Sequence, residues 1–392
     1  MWNLFLRGIY KPMEFIIQRD SLINTIATVS KAVSSRTTIP VLTGIKLVAS
    51  TEGIILTGSD SDISIEEFIP VEKEGEVIID LIEPGSIVLP SRYFGEIIRK
   101  LPGDQVKIKT NDHLTITITA GKSEFNLNGM DAADYPRLPQ IEENRVLSLP
   151  SDLLKTMIRQ TAFAVATTET RPILTGIMWK LMDSELTFVA TDSHRLTMRE
   201  AVVESPDHLT FENVVIPGKS LVELSKILLD DSRLVDIVIT DNQILVKIDH
   251  ILFYSRVLDG TFPDTSRIIP KNGKTLMNLN TKEFLGAIER ASLLAREGKN
   301  NVVNLVTRDD NSVEVYSVTP EVGKVIEEVN PVSLEGEPLR IAFNAKYMID
   351  ALRAVDSEII EISFTGAMSP FIIRPSDYNK ILHLILPVRT NQ

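Results

Sequence analysis

Pro40-Val41-Leu42-Thr43-Gly44-Ile45 returns farther along the chain as Pro172-Ile173-Leu174-Thr175-Gly176-Ile177. At the same offset, Gly58-Ser59-Asp60-Ser61-Asp62 lands on Ala190-Thr191-Asp192-Ser193-His194. Two short matches held in one register mark a duplication, and internal repetition decides architecture before any single motif does. Around these matches the apolar residues take helical spacing over 21–36, where Leu22, Ile26, Val29 and Val33 form one stripe. The same spacing holds over 151–166 and 281–296, and Leu22, Leu153 and Phe284 are equally spaced, which adds a third copy. Each copy also carries a second, shorter helical pattern, at 91–101, 218–229 and 345–355.

Strand pairs follow those second helices. Val106 and Ile108 precede a turn at Asn111-Asp112, and Leu114, Ile116 and Ile118 follow it, alternating with lysines and threonines. That is the pattern of a half-buried hairpin. Ile237 and Ile239 before Asp241-Asn242, with Ile244, Val246 and Ile248 after, repeat it. The third copy has Ile360, Ile362 and Phe364, a turn through Gly366, then Phe371 and Ile373. Proline-rich joins stand at Asp134 to Pro139 and at Phe262 to Gly273. The reading is α+β: three repeated domains at 13–141, 142–272 and 273–392, each with two helices packed on antiparallel sheet. Residues 1–12 differ in character and read as an N-terminal extension or the remnant of an upstream start.

Apolar residues make up 43% of the 392 and charged residues 24%, which is ordinary for packed domains. The chain has no cysteine, so disulfides, thiolate metal sites and cysteine nucleophiles are excluded. No uncharged run nears the ~18 apolar residues that span a bilayer, and a cytoplasmic location is expected. The net charge of −12 argues against a surface that coats nucleic acid throughout. Yet the six helical stretches hold 14 Lys plus Arg against 6 Asp plus Glu, leaving the rest of the chain at −20. Glutamate forms helices as well as lysine does, so propensity does not explain the bias. A basic face without base-reading motifs points to phosphate contact without sequence choice.

Catalysis has no visible home. Gly218-Lys219-Ser220 resembles the end of a phosphate loop, but Asn213 stands where the first glycine is needed, so a helix start is the better reading. Asp60-x-Asp62 and Asp192-x-His194 read as one repeated turn after a strand. The five histidines show no metal-ligand spacing. No enzyme, metal or cofactor is expected. His194 and Arg195 stand out because the second copy alone carries them there.

Three segments carry a family resemblance: 34–44 (SSRTTIPVLTG), 191–196 (TDSHRL) and 259–264 (DGTFPD), joined by the terminal Leu386-Pro387-Val388-Arg389. From Met13 onward the chain resembles the bacterial sliding clamps, the beta subunits of DNA polymerase III, in their Gram-positive, bacillus-like form. The resemblance implies a homodimer closed head to tail into a ring that encircles double-stranded DNA. It places Lys31, Arg36, Arg92, Arg99, Lys100, Lys155, Arg159, Arg171, Lys219, Lys226, Arg290, Arg296, Lys346 and Arg353 toward the duplex. A partner-peptide pocket is implied at Leu174, Thr191, Ser193, His194, Arg195, Leu196, Pro263, Arg267, Ile268, Leu386, Pro387, Val388 and Arg389. Replicative polymerase, clamp loader and repair proteins would dock there through short motifs. The dimer seam is implied at Phe125 and Leu127 on an edge strand, meeting Leu293 and Leu294. Where some clamps carry aromatics after Arg171, this chain has Pro172 and Ile173. Two other classes compete with this reading: a repeat-built protein scaffold that never meets DNA, and an enzyme with a scattered site between repeats.

Overall fold

Glu14–Gln18 alternates half-buried and buried residues, with Phe15 and Ile17 fully inside. A strand with one wet and one dry face must find a sheet to lie on. The computed structural model describes residues 12–389 apart from 35, 61, 112, 113, 140, 207, 299 and 300. The expected extension at 1–12 therefore falls, but for Pro12, outside the described residues, as does Asp112 of the first hairpin turn.

Six α-helices are described: α1 Arg19–Val29, α2 Ser91–Lys100, α3 Ser151–Arg159, α4 Gly218–Ser225, α5 Thr281–Ala295 and α6 Ala345–Ala354. The chain gathers into two compact units, one running up to Ser151 and adding Lys226–Arg256, the other Asp152–Ser225 with the chain from Val257. In the first unit a five-stranded sheet runs Ser123–Asn128, Thr115–Ala120, Gln105–Thr110, Glu14–Gln18, Ile79–Glu83. Its eight-stranded sheet joins strands of two repeats, because Ile251–Arg256 pairs antiparallel with Ile63–Pro70, Phe253 opposite Ile65.

The second unit repeats the device. Its nine-stranded sheet brings Arg195–Val202 against Ile381–Ile385, with Leu196 opposite Leu384. A four-stranded sheet, Gly323–Val329, Val313–Thr319, Val302–Thr307, Arg340–Asn344, packs under α5. Phe284, Ile288, Phe343, Met348, Phe364 and Phe371 fill the core between these sheets and α5 and α6. Asn280 and Asn344 begin those two helices by accepting amide hydrogens on their side-chain oxygens, the normal work of an N-cap.

The three hairpins form as expected. Several sequence expectations require correction. The equally spaced Leu22, Leu153 and Phe284 are not equivalent: Leu22 and Phe284 are buried, but in the second copy Leu154 is, while Leu153 is half-exposed. The helix at 151–166 stops at Arg159, and just past it Thr161 donates its hydroxyl to the Met157 carbonyl at 2.8 Å. A 3-10 turn, Ala162–Ala164, follows. The helix at 218–229 likewise ends at Ser225, and 21–36 is helical from Arg19 only to Val29, with a 3-10 turn after it.

These shorter helices halve the charge bias. Counted over the six helices as formed, 11 Lys plus Arg face 7 Asp plus Glu, a surplus of +4 in place of +8. Lys31, Lys226 and Arg296 stand just past helix C-termini, where open carbonyls favour cations. Lys31 shows this directly, donating to the Ala27 carbonyl at 3.0 Å.

Candidate functional site

Glu185–Thr191 and Arg195–Val202 are joined by a turn built on Asp192. Its Oδ1 accepts the amides of His194 at 2.9 Å and Arg195 at 3.0 Å, and Ser193 takes a positive φ of 75°. Asp60 makes the same closure with Asp62 and Ile63, so the repeated turn is an Asx turn. Thr191 is spent on this turn as well, donating its hydroxyl to the Arg195 carbonyl at 2.6 Å.

Arg195 is 8% exposed. Its Nε donates to Asp192 Oδ2 at 3.0 Å, Nη1 to Asp350 Oδ2 at 2.7 Å and Nη2 to the Phe163 carbonyl at 2.5 Å. The guanidinium lies 4.6 Å from the Tyr347 ring centroid and 5.4 Å from that of Phe163. A buried cation survives only when paired and hydrogen-bonded, and this one is both. Tyr347 is raised above an ordinary phenol, first by burial and then by the nearby Asp192 carboxylate.

The chain end joins the same place. Leu386 donates its amide to the His194 carbonyl at 3.0 Å, and Val388 to Ala342 at 2.8 Å. On the other side Asn213 pins the segment after Val257: Nδ2 donates to the Gly260 carbonyl at 2.8 Å while Oδ1 accepts the Phe262 amide at 2.9 Å. Beneath lies an apolar floor of Leu174, Val189, Leu196, Val215, Leu258, Phe262, Ile372, Leu382 and Leu384.

The sequence-derived pocket residues therefore divide by depth. Leu174 and Leu196 belong to the floor, and Thr191 and Arg195 brace the turn from inside. Ser193, His194, Pro263, Arg267, Ile268, Leu386 and Arg389 present surface, with Pro387 and Val388 half-buried. The result is a dry floor under a mixed polar and apolar rim, suited to a short hydrophobic peptide. Phe163, Asn213, Tyr347 and Asp350 complete the site without any signal in the sequence that marks them for it; Asn213 stands out there only as a missing glycine. Beside the floor a cleft of about 320 Å³ opens between Pro270 to Gly273 and Arg374, sharing Ile372 with it.

The expected duplex-facing cations are almost all at the surface. Arg36, Arg92, Arg99, Lys100, Arg171, Lys219 and Arg296 are exposed and form no ion pair with another described residue. Four others hold carboxylates: Arg159 with Asp356, Arg290 with Glu327 at 2.8 Å, Lys346 with Asp350 at 2.7 Å and Arg353 with Glu289 at 2.6 Å. Glu327 lies below the usual carboxylate range because the Arg290 guanidinium donates to it. Of the residues expected at the seam, Phe125 sits 41% exposed on Ser123–Asn128, the edge of the five-stranded sheet, and Leu127 is half-buried. Leu293 is exposed and Leu294 half-buried on α5, which lies on a second open edge, Gly323–Val329, with Ile326 outward.

Gly218 opens α4, as expected from the missing glycine at Asn213. Among the described residues there is no metal-ligating cluster and no helix long and apolar enough to cross a membrane. Three family models match in series: the N-terminal, central and C-terminal domains of the DNA polymerase III beta subunit, at residues 13–139, 148–264 and 266–389. The beta sliding clamp of Bacillus subtilis is 57% identical over 379 residues, covering 96% of this chain and all of that one. That of Halalkalibacterium halodurans is 56% identical over the same shares. Among solved structures, the Bacillus subtilis DNA polymerase sliding clamp superposes with a TM-score of 0.93 at 56% identity, covering 96% and 99% of the two chains. A Pseudomonas aeruginosa clamp bound to griselimycin gives 0.88 at 27%, covering 96% and 100%. The chain belongs to the bacterial beta sliding clamps, the beta subunits of DNA polymerase III, a family of processivity factors that hold polymerase to DNA and catalyse nothing themselves.

Proposed function

We propose that two copies of this chain close head to tail into a ring around duplex DNA, with repeats 13–141, 142–272 and 273–392 as its domains. A heterologous contact closes only when its rotation returns on itself, and six similar repeats of about 60° each meet that condition. The seam joins the open edge at Phe125 and Leu127 to the apolar surface around Leu293 and Leu294. Apolar edges are aggregation hazards unless covered, which supports a partner there.

Inside the ring, the fourteen cations from Lys31 to Arg353 meet phosphate. Contacts made without base readout let the ring slide, since each good base contact adds about 1–3 kcal/mol of preference and would trap it. Arg159, Arg290, Lys346 and Arg353 exchange a carboxylate for phosphate. Arg36, Arg92, Arg99, Lys100, Arg171, Lys219 and Arg296 carry no such cost.

Partners dock on the dry floor between His194, Pro263, Ile268 and Leu386. Polymerase, clamp loader and repair proteins each insert a Gln-led hydrophobic segment there, at roughly micromolar strength, about −8 kcal/mol, so that they can exchange. The single observation that carries this site is the Leu386 amide on the His194 carbonyl, which seats 386–389 beside the turn that carries His194 and Arg195 in the second repeat alone. That a related clamp binds griselimycin supports ligand uptake by this fold. The protein works on DNA in the cytoplasm, associated with the nucleoid.

Retention on closed circular duplex, with release when the circle is cut, tests the ring. Equal behaviour on linear DNA would return the protein to the scaffold reading. His194→Ala, or removal of 386–392 (of which 390–392 lie outside the described residues), should abolish peptide binding while the dimer persists. Unchanged peptide affinity in both would refute the pocket.

A further inference from the structure

Asp350 Oδ2 accepts from Arg195 Nη1 and from Lys346 Nζ, each at 2.7 Å. The two partners live in different surroundings. The side chains of Arg195 and Asp350 are 9% and 16% exposed, while that of Lys346 is 65% exposed. Exposed ion pairs contribute little, whereas breaking a buried one leaves a charge with nowhere to go. Asp350 therefore belongs to Arg195.

Arg195 in turn holds the rim. Its Nε and backbone amide both engage Asp192, whose Oδ1 also closes the turn at His194, and the His194 carbonyl receives the Leu386 amide. We propose that Asp350 on α6 is a positioning residue for the peptide pocket, fixing the His194 turn and the Leu386 chain end through Arg195 without touching the peptide. This rests on the pocket reading above. It adds a consequence: because Lys346 is the weak outer partner, phosphate can take Lys346 while the pocket stays formed, so partners exchange with the ring on DNA.

The test is fluorescence anisotropy with a labelled decapeptide carrying a Gln-led hydrophobic segment, on the full-length dimer without DNA. Asp350→Asn keeps size and loses charge, and should weaken binding about tenfold or more, in keeping with loss of a buried charged partner. Asp350→Glu restores the charge on a flexible arm and should recover most of the affinity. A role in packing alone would give the reverse order, with Asn tolerated and Glu harmful, and would overturn the proposal. Lys346→Met should leave affinity within about twofold, as an exposed pair predicts. A loss equal to that of Asp350→Asn would show that the carboxylate acts through Lys346 and would also overturn it. Wild-type protein that binds no peptide refutes the pocket itself. Wild-type binding matched by Asp350→Asn refutes only the positioning role.

Discussion

Thr197 Oγ1 and His383 Nδ1 lie 3.0 Å apart, on residues directly opposite in the sheet that joins Arg195–Val202 to Ile381–Ile385. Both residues are 1% exposed, and among the described residues none hydrogen-bonds His383 Nε2. The Phe163 ring sits against it, 5.6 Å between centroids. A histidine in this place must stay neutral.

Burial, and then the nearby Arg195 charge, push His383 down to about 3. An unfolded histidine takes its proton near pH ~6.5, so the unfolded state binds that proton first as acid is added. The stabilisation is whole above that pH and drains away as pH falls toward 3. Glu66, Glu67 and Glu200, raised chiefly by burial, contribute with the opposite sign. Thermal unfolding of His383→Leu should therefore lose less stability than wild type between pH 6.5 and 4. Parallel pH curves for the two proteins would refute the assignment.

Asn213→Ala removes both hydrogen bonds that pin Gly260 and Phe262. Each is worth about 1 kcal/mol, so peptide affinity should fall several-fold while DNA retention is unchanged. Hydrogen exchange should quicken at Phe262 first. Retained protection there would mean the segment is held by Leu258 and Phe262 packing alone.

A Cβ on Gly58 would lie 2.1 Å from the Val29 carbonyl oxygen, and backbone cannot step aside as a side chain can. Gly58→Ala should cost about 1–3 kcal/mol, the range for overpacking. Ala190 occupies the matching place in the second repeat, where α3 is two residues shorter than α1. An unchanged melting temperature would contradict this close crossing.

Trp179 and Phe188 are cross-strand partners with ring centroids 4.2 Å apart and planes at 13°. Trp179 is fully buried. Trp179→Ala should cost about 3–5 kcal/mol. Native Trp179 emission should be blue-shifted and shift red on unfolding, measured in a protein with Trp2 replaced by Phe.

Much of the fold is legible in the sequence because it is local. Period-two alternation marks Ile116 and Ile118 as inward residues of a hairpin, and Asp60 and Asp192 announce Asx turns, since a short carboxylate bonds the next amides whatever the surroundings. The phase of the second repeat's first helix is ambiguous between Leu153 and Leu154, because both are leucines and only contact with a sheet selects one. The helix ends at Arg159 and Ser225 are hidden for a similar reason: apolar residues continue past them, serving other elements.

The amino-acid order by itself determined that one unit is written three times, that its helices are amphipathic and that His194 and Arg195 mark the repeat that differs. Tertiary structure alone decided that sheets run on from one repeat into the next, that Arg195 is buried and that Asp350, Phe163 and Tyr347 enclose it. Periodicity reports which side of an element is dry. It carries no record of which distant element supplies the dryness, because that choice is made by pairing and packing across hundreds of residues.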